Sequence, residues 1–422
     1  MSAKPVVLLT TGTRGDIWPY LALGQGLQAA GQPVRVATHA EFQPWVAAAG
    51  LPFARLDGNL SEWMTRAGGQ SALTYDGSVW RNAQATGRYW RAARPVLTRL
   101  LASAREAARG AALVIAGLAS TWGPHIAEAE GVRCAWALLQ PVTATRAFPS
   151  ALLPFRFSLG GRYAWLTHQA VALATWLPWR GVINAWRRSV GLRPAGLTSP
   201  LAVLQRAQTG VVVGVSPHLL PPPADWPAGH TVTGYWFYDA PAAGRPPPAL
   251  ERFLESGPAV SLSFGSPGVR AARPMLAKVL DALKLAGLRA VVAVPPELAD
   301  EAGPEHHVFP VADVPHTWLF PRVAAAAHHG GAGTTAASLR AGTPTVIMPL
   351  AIDQFFWGER VAALGVGPPP VPQRALTAPA LARALRQAVD DPAGRARAQR
   401  LGAAIRAEAG VARAVAAIRA WV

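Results

Sequence analysis

Three groups of residues in this 422-residue chain are spaced to do chemistry together. The first is His328-His329-Gly330-Gly331-Ala332-Gly333-Thr334-Thr335, which follows the apolar stretch 323–327 and leads into a helical pattern. A strand that enters a glycine-rich turn and then a helix N-terminus is an anion site. Glycine lets the backbone approach closely, free N–H groups point outward, and the helix dipole favours negative charge. The second group is Asp353-Gln354, placed after the apolar run 345–350. An acid beside an amide binds hydroxyls, so cradle and pair together suggest a sugar joined to a diphosphate. The third is Asp16, closing the turn Thr10-Thr11-Gly12-Thr13-Arg14-Gly15-Asp16 between a strand and a helix. A carboxylate there projects into a cleft and can take the proton of an attacking hydroxyl, help typically worth ~10²–10⁴ in rate. The same position also suits a helix cap or a partner for Arg14.

Smaller signals surround these groups. Ser263-Phe264-Gly265-Ser266 is a second glycine turn at a strand end, able to add to the anion site through Ser266. The chain has no Asp-x-Asp pair and no His/Cys cluster. A diphosphate leaving group would then be met by backbone N–H groups, helix dipoles and neutral or cationic side chains, with no metal or other cofactor expected. His316 and Trp318 read either as nucleobase contacts or as a surface histidine beside a buried aromatic. Gly330-Gly331-Ala332-Gly333 does not fit Gly-x-Gly-x-x-Gly, and no Gly-x4-Gly-Lys-Ser/Thr occurs, so dehydrogenase and P-loop readings fail on spacing.

These groups need strands and helices to hold them. Residues 6–9 form a buried strand, 12–16 a turn, 20–30 a helix and 34–38 the next strand. The unit recurs with a helix over 95–109 and a strand over 113–116. After the strand 210–215 comes a proline-rich stretch, 217–248, which reads as a stiff interdomain linker. The alternation restarts with a strand over 259–264, a helix over 274–286 and a strand over 289–294. The last forty or so residues, 380–422, are helical with a break near Asp390-Asp391-Pro392. This grammar predicts an α/β chain of two doubly wound, Rossmann-like domains facing a cleft, with ligands at the carboxyl ends of the strands. The expected division is 1–235 for acceptor binding, 236–403 for the nucleotide sugar and 404–422 for a terminal helix.

Bulk composition narrows the class. With 51% hydrophobic and 15% charged residues there is material for large cores. The most apolar helical stretch, 164–179, is too short and too interrupted to cross a membrane. The N-terminus does not read as a signal peptide, and a single cysteine, Cys134, allows no internal disulfide, so a cytoplasmic setting is expected. The net charge of +17 fits an anionic membrane surface or a phosphorylated substrate, or arginine-rich usage without function. No basic run of five or more residues is present, and nucleic acid is not an expected partner. Residues 150–190 interleave Phe155, Phe157, Tyr163, Trp165, Trp176, Trp179 and Trp186 with Arg156, Arg162, Arg180, Arg187 and Arg188. They read as an apolar acceptor pocket, as a surface resting peripherally on membrane, or as a helical insertion with core aromatics.

At this point the residues resemble a known family. Thr11-Gly12-Thr13-Arg14-Gly15-Asp16-Ile17-Trp18-Pro19-Tyr20-Leu21-Ala22-Leu23-Gly24 is similar to the opening of sterol 3-beta-glucosyltransferases and vancomycin-type antibiotic glycosyltransferases. Residues 328–340 with Asp353-Gln354-Phe355-Phe356-Trp357-Gly358 resemble their donor signature, nearest to the sterol type. The resemblance implies the two-domain GT-B fold and metal-independent inversion, with a terminal helix crossing back onto the first domain. It implies Asp16 as base and His328 on the diphosphate. Gly331, Ala332, Gly333 and Thr334 would give backbone and hydroxyl contacts, and Ser266 would help from the facing loop. Asp353 and Gln354 would hold hexose hydroxyls. Arg14 and Gly15, beside the base, belong with the donor site. Two positions depart from the pattern. Thr317 stands where the sterol type commonly has an acid, and Trp18 replaces a polar residue and would narrow the acceptor entrance. The expected function is hexose transfer, with UDP-glucose the preferred donor, to a hydroxyl of a sterol, terpenoid, carotenoid or other lipid. A sugar-nucleotide epimerase of the same fold, or a non-catalytic basic binder, would be the alternatives.

Overall fold

The computed structural model describes residues 3–58, 79–154, 159–206, 210–239, 247–264, 269–303 and 307–422. Its two sheets are parallel throughout. The first contains β1 (Val6–Leu9), β2 (Val34–His39), β3 (Phe53–Leu56), β4 (Leu113–Ala116), β5 (Arg133–Leu138), β6 (Val211–Val213) and β7 (His230–Val232), in the order β3-β2-β1-β4-β5-β6-β7. The second contains β8 (Ala259–Ser263), β9 (Arg289–Ala293), β10 (Val308–Val311), β11 (Ala326–His328) and β12 (Thr345–Ile347), in the order β10-β9-β8-β11-β12. Parallel strands covered by helices on both faces must be apolar on both faces. Val6-Val7-Leu8-Leu9, Leu113-Val114-Ile115-Ala116 and Val211-Val212-Val213 are buried along their whole length for that reason.

Each strand order reverses once, between β1 and β4 and between β8 and β11. A doubly wound sheet opens a crevice at that point, beyond the carboxyl ends of its strands. The turn carrying Asp16 follows β1, and the glycine run follows β11, so topology alone delivers both to the crevices. The two halves meet through a shared apolar cluster. Trp136, Leu138 and Val213 of the first sheet pack in it with Leu339, Ile347, Phe356 and Trp357 of the second half. Arg340 adds a bidentate bond to Asp239, at 2.6 and 3.0 Å.

The sequence reading places most elements but names none of the strands β3, β5, β7 and β10. The stretch following β6 is not only linker: His230-Thr231-Val232 pairs in register with β6 as the seventh strand. Its shortness and its proline-rich flanks concealed it. Residues 150–190 contain one long helix, Gly161–Ser189, with Trp176 and Trp186 turned into the core. At the other end of the chain, helix Gly410–Arg419 returns to the first half, where Ala414, Val415 and Ile418 join the cluster around helix Arg14–Ala29. Close approach requires glycine there. A Cβ on Gly26 would lie 2.4 Å from Val411, and one on Gly410 would lie 2.3 Å from the Tyr235 carbonyl oxygen. Glu408 fastens the return by accepting bonds from Ser216 Oγ and the Tyr235 N–H.

Candidate active site

The turn after β1 is shaped around one carboxylate. Asp16 is the third residue of helix Arg14–Ala29, and its Oδ2 accepts bonds from the Thr13 N–H at 2.8 Å and from Thr13 Oγ1 at 3.1 Å. The capping geometry fixes the rotamer of Asp16 and engages its Oδ2. Gly12, at φ +122°, sits so close that a Cβ would fall 2.4 Å from Oδ2. Asp16 is half-buried, and desolvation lifts its pKa above the ordinary carboxylate value while the Thr13 bonds pull it down. Such a carboxylate is a stronger base than an exposed one.

Arg14 leans the other way. Its guanidinium lies 4.3 Å over the Trp18 ring and pairs with Asp313 of the second half at 3.0 Å. Trp18 in turn packs edge-on against Trp45 and Tyr238, at 6.1 and 6.0 Å. The Trp18 ring thus holds an arginine that reaches across to the second half.

The glycine run splits its two histidines between two tasks. His328 closes β11 and is 1% exposed. Its Nδ1 accepts from the Gly330 N–H at 3.1 Å, and its Nε2 lies 3.2 Å from Ser338 Oγ. Ser338 gives its own proton to the Thr335 carbonyl, so the bond runs from Nε2–H to Oγ. His328 is thus a neutral imidazole with both nitrogens engaged, and burial holds its pKa well below the usual value. The neighbouring His329 has a buried Nδ1 with no partner, and its Nε2 lies where a Cβ on Gly331 would come within 2.6 Å. The sequence reading passed over this second histidine. Alternating strand geometry is the signal that separates the two: the residue that ends the strand inward is followed by one that faces out of it.

Gly331 starts helix Ala332–Ala341 without a side-chain cap, while Thr335 N–H already bonds to Gly331 O. The N–H groups of Ala332, Gly333 and Thr334 are the unsatisfied donors of that terminus. The backbone bends sharply to present them. Gly330 adopts φ +88°, and a Cβ there would meet Ile347 at 2.6 Å. Gly333 faces Gly15, whose Cα would be 3.7 Å from a Cβ on Gly333. The two helix N-termini, one from each half, therefore meet.

Asp353 and Gln354 are presented by a strained turn. Ile352 has φ 56°, the only positive φ at a non-glycine among the described residues. A β-branched side chain in that region is a genuine outlier, and such strain clusters at functional sites. The Gln354 Oε1 accepts from the N–H groups of Leu350 and Ala351 at 2.8 and 3.2 Å, which turns its amide nitrogen outward. Asp353 Oδ2 accepts from Trp357 Nε1 at 2.9 Å, and the Gln140 side chain, from the loop after β5, also bonds to its carboxylate. Burial raises the Asp353 pKa to about 6, against the Trp357 and Gln140 bonds and with the help of repulsion from Asp16. The first half thus contributes Gln140 to the second half's acid, a long-range contact with no trace in local sequence.

His316 stacks on Phe320, with ring centroids 4.5 Å apart and planes 8° from parallel. Desolvation by that packing pushes its pKa down to about 4. Trp318 is half-buried, with the Arg322 guanidinium 4.6 Å over its ring. Ser266 lies outside the described residues. Among the described residues, no group of three His, Cys, Asp or Glu side chains could hold a metal ion.

Comparison with known proteins agrees with this geometry. Residues 6–149 match the glycosyltransferase family 28 N-terminal domain. Residues 287–418 match the erythromycin biosynthesis protein CIII-like C-terminal domain. The sterol 3-beta-glucosyltransferase of Emericella nidulans is 36% identical over 98% of this chain, which spans 30% of that protein. That of Candida albicans is 35% identical over 98% of this chain and 27% of its own length. The chain therefore covers under a third of the curated relatives it matches. Among solved structures, the glycotransferase of kitacinnamycin superposes with a TM-score of 0.73 at 17% identity, covering all of both chains. The spinosyn forosaminyltransferase SpnP gives 0.68 at 19% identity, with 99% of each chain covered. These likenesses show the fold.

Proposed function

We propose that this chain, which belongs to the glycosyltransferases of the GT-B fold, transfers a hexose from a nucleoside diphosphate sugar to a hydroxyl of an apolar acceptor, and that the acceptor is a sterol. The observation that carries the reading is the meeting of two helix N-termini across one cleft, with the Asp16 carboxylate on one and the uncapped glycine cradle on the other. The whole-length likeness to sterol 3-beta-glucosyltransferases supports the acceptor. Glucose is the proposed sugar, because Asp353 and the outward Gln354 amide together suit a hexose with several free hydroxyls.

The reaction follows from these positions. The acceptor oxygen attacks the anomeric carbon in line, its proton passes to Asp16, and the bond from that carbon to the diphosphate oxygen breaks. An α-linked donor gives a β-glycoside. Charge growing on the diphosphate is met by the N–H groups of residues 332–334, by Thr334, and by His329 with its unpaired nitrogen. His328 holds the turn in shape beneath them. Donor charge is taken by the protein in this reading, with no metal required. We assign acceptor binding to 1–235, donor binding to 236–403 and the returning helix to 404–422. A lipid acceptor is delivered from a bilayer, so the reading includes contact with a membrane surface.

The test is incubation with UDP-glucose and a panel of sterols and other apolar alcohols, read by mass spectrometry alongside calorimetric titration with UDP. The expected result is saturable UDP binding and a sterol hexoside. Conversion of the UDP-sugar to an epimer without transfer would favour the epimerase reading, and absence of UDP binding would end the enzymatic one.

A further inference from the structure

The molecule's exposed apolar side chains are not scattered. Of nine large hydrophobic residues that stand exposed among the described residues, six lie between 159 and 197: Leu159, Trp165, Leu166, Leu173, Leu177 and Leu197. Their exposure runs from 39% at Trp165 to 72% at Leu159. Leu166, Leu173 and Leu177 follow helical spacing along one side of helix Gly161–Ser189, with exposed Ala170 and Ala174 beside them and Trp165 at the edge of the stripe. From Leu166 to Leu177 that stripe runs for about 17 Å. The opposite side is fully employed, with Ala172, Trp176, Val182, Ile183 and Trp186 in the core. Leu197 joins the stripe through its loop, because Arg180 and Trp176 both donate to the Gly196 carbonyl. Single exposed leucines need no explanation, but a contiguous row does.

Charge identifies what covers the row. Between Glu130 and Asp225 the chain has nine arginines and no acidic residue, so this segment carries +9 of the total +17. Arg162, Arg188 and Arg193 are exposed near the ends of the stripe. A protein partner of ordinary composition offers both signs, whereas a leucine row on a helix whose charged residues are all arginines complements an anionic lipid surface. We propose that the exposed face of helix Gly161–Ser189 docks this protein on anionic bilayers, its leucines entering the acyl boundary and its arginines at the headgroups. The same helix also reaches toward the donor half. Phe148 is held by His168 of this helix at 3.1 Å and packs on Phe356 of the donor half at 5.3 Å. The proposal rests on the surface alone and stands whatever the acceptor is.

The experiment is co-sedimentation of the full chain with phosphatidylcholine–phosphatidylglycerol vesicles and with phosphatidylcholine vesicles. The wild type is expected to bind the anionic vesicles more tightly, with affinity falling as salt is raised. The double variant Leu166→Glu/Leu173→Glu should lose at least about tenfold in partitioning at an unchanged melting temperature. Arg162→Glu/Arg188→Glu should lose about fivefold per arginine on anionic vesicles only. Equal binding of wild type and leucine variant would overturn the proposal. So would a wild-type dimer that the leucine variant dissociates while neither protein binds vesicles, since a second copy would then be what covers the face.

Discussion

Replacing Asp353 by asparagine should stabilise the protein at neutral pH while weakening its hold on the donor. Asp353 is 9% exposed, and burial raises its pKa to about 6 from an ordinary value of 3.8. A carboxyl whose pKa is raised by folding stabilises the native state most when protonated. That contribution is complete below the unfolded pKa and is lost as pH rises through the folded one. The displacement of 6 − 3.8, or 2.2 units, corresponds to about 3 kcal/mol at most. About half of it should appear between pH ~5 and pH ~8, because near pH 5 the native acid is still largely protonated. Asparagine has no charge to bury, so its unfolding free energy should lack this slope. Comparing urea unfolding of wild type and Asp353→Asn across that window isolates the effect, since bond losses to Trp357 and Gln140 enter equally at every pH. The difference should move in favour of the variant by on the order of 1–2 kcal/mol from pH ~5 to ~8. A difference that stays flat across the window would refute the reasoning, because the acid would then not be destabilised by its surroundings. The same variant should raise the KM for UDP-glucose.

Other consequences are as specific. His328→Ala should lower stability by about 1–3 kcal/mol, because it leaves the Gly330 N–H unpaired inside the domain and removes a buried imidazole, and thermal unfolding would show it. His329→Ala should leave the melting temperature near wild type and weaken UDP binding in calorimetry; the opposite pattern for the pair would reverse their roles. Ile352→Gly should gain about 1 kcal/mol in urea unfolding by relieving the left-handed backbone, at the expense of transfer rate. Glucose transfer should be unchanged by EDTA, and a loss restored by a divalent cation would contradict the protein-borne anion site.

The proposed site was legible in the sequence where each of its parts is local. Asp16 is legible in its own turn, the cradle in its glycines and the hydroxyl-binding pair in two adjacent residues. Periodicity and spacing read such features well. What the sequence concealed depended on contacts between distant segments. Gln140 reaches Asp353 only because two domains close on each other, and Arg14 turns to Asp313 only because Trp18 supports it. The separation of His328 from His329 depends on which face of β11 each side chain leaves, a matter of one residue in register. Strand β7 escaped notice because three residues set among prolines carry too little pattern. The aromatic and arginine segment had three readings in sequence; the fold divides its residues, sending Trp176 and Trp186 inward and the leucines out.

The central claim is that Asp16 removes the proton from the acceptor hydroxyl. Asp16→Asn keeps an oxygen that can accept the Thr13 N–H, so the turn and the donor site should survive. The decisive measurement is the steady-state rate of sterol hexoside formation by this variant, with UDP affinity measured on the same preparation. The account predicts a kcat reduced by about 10²–10⁴ with UDP binding unchanged. Transfer at the wild-type rate would contradict it.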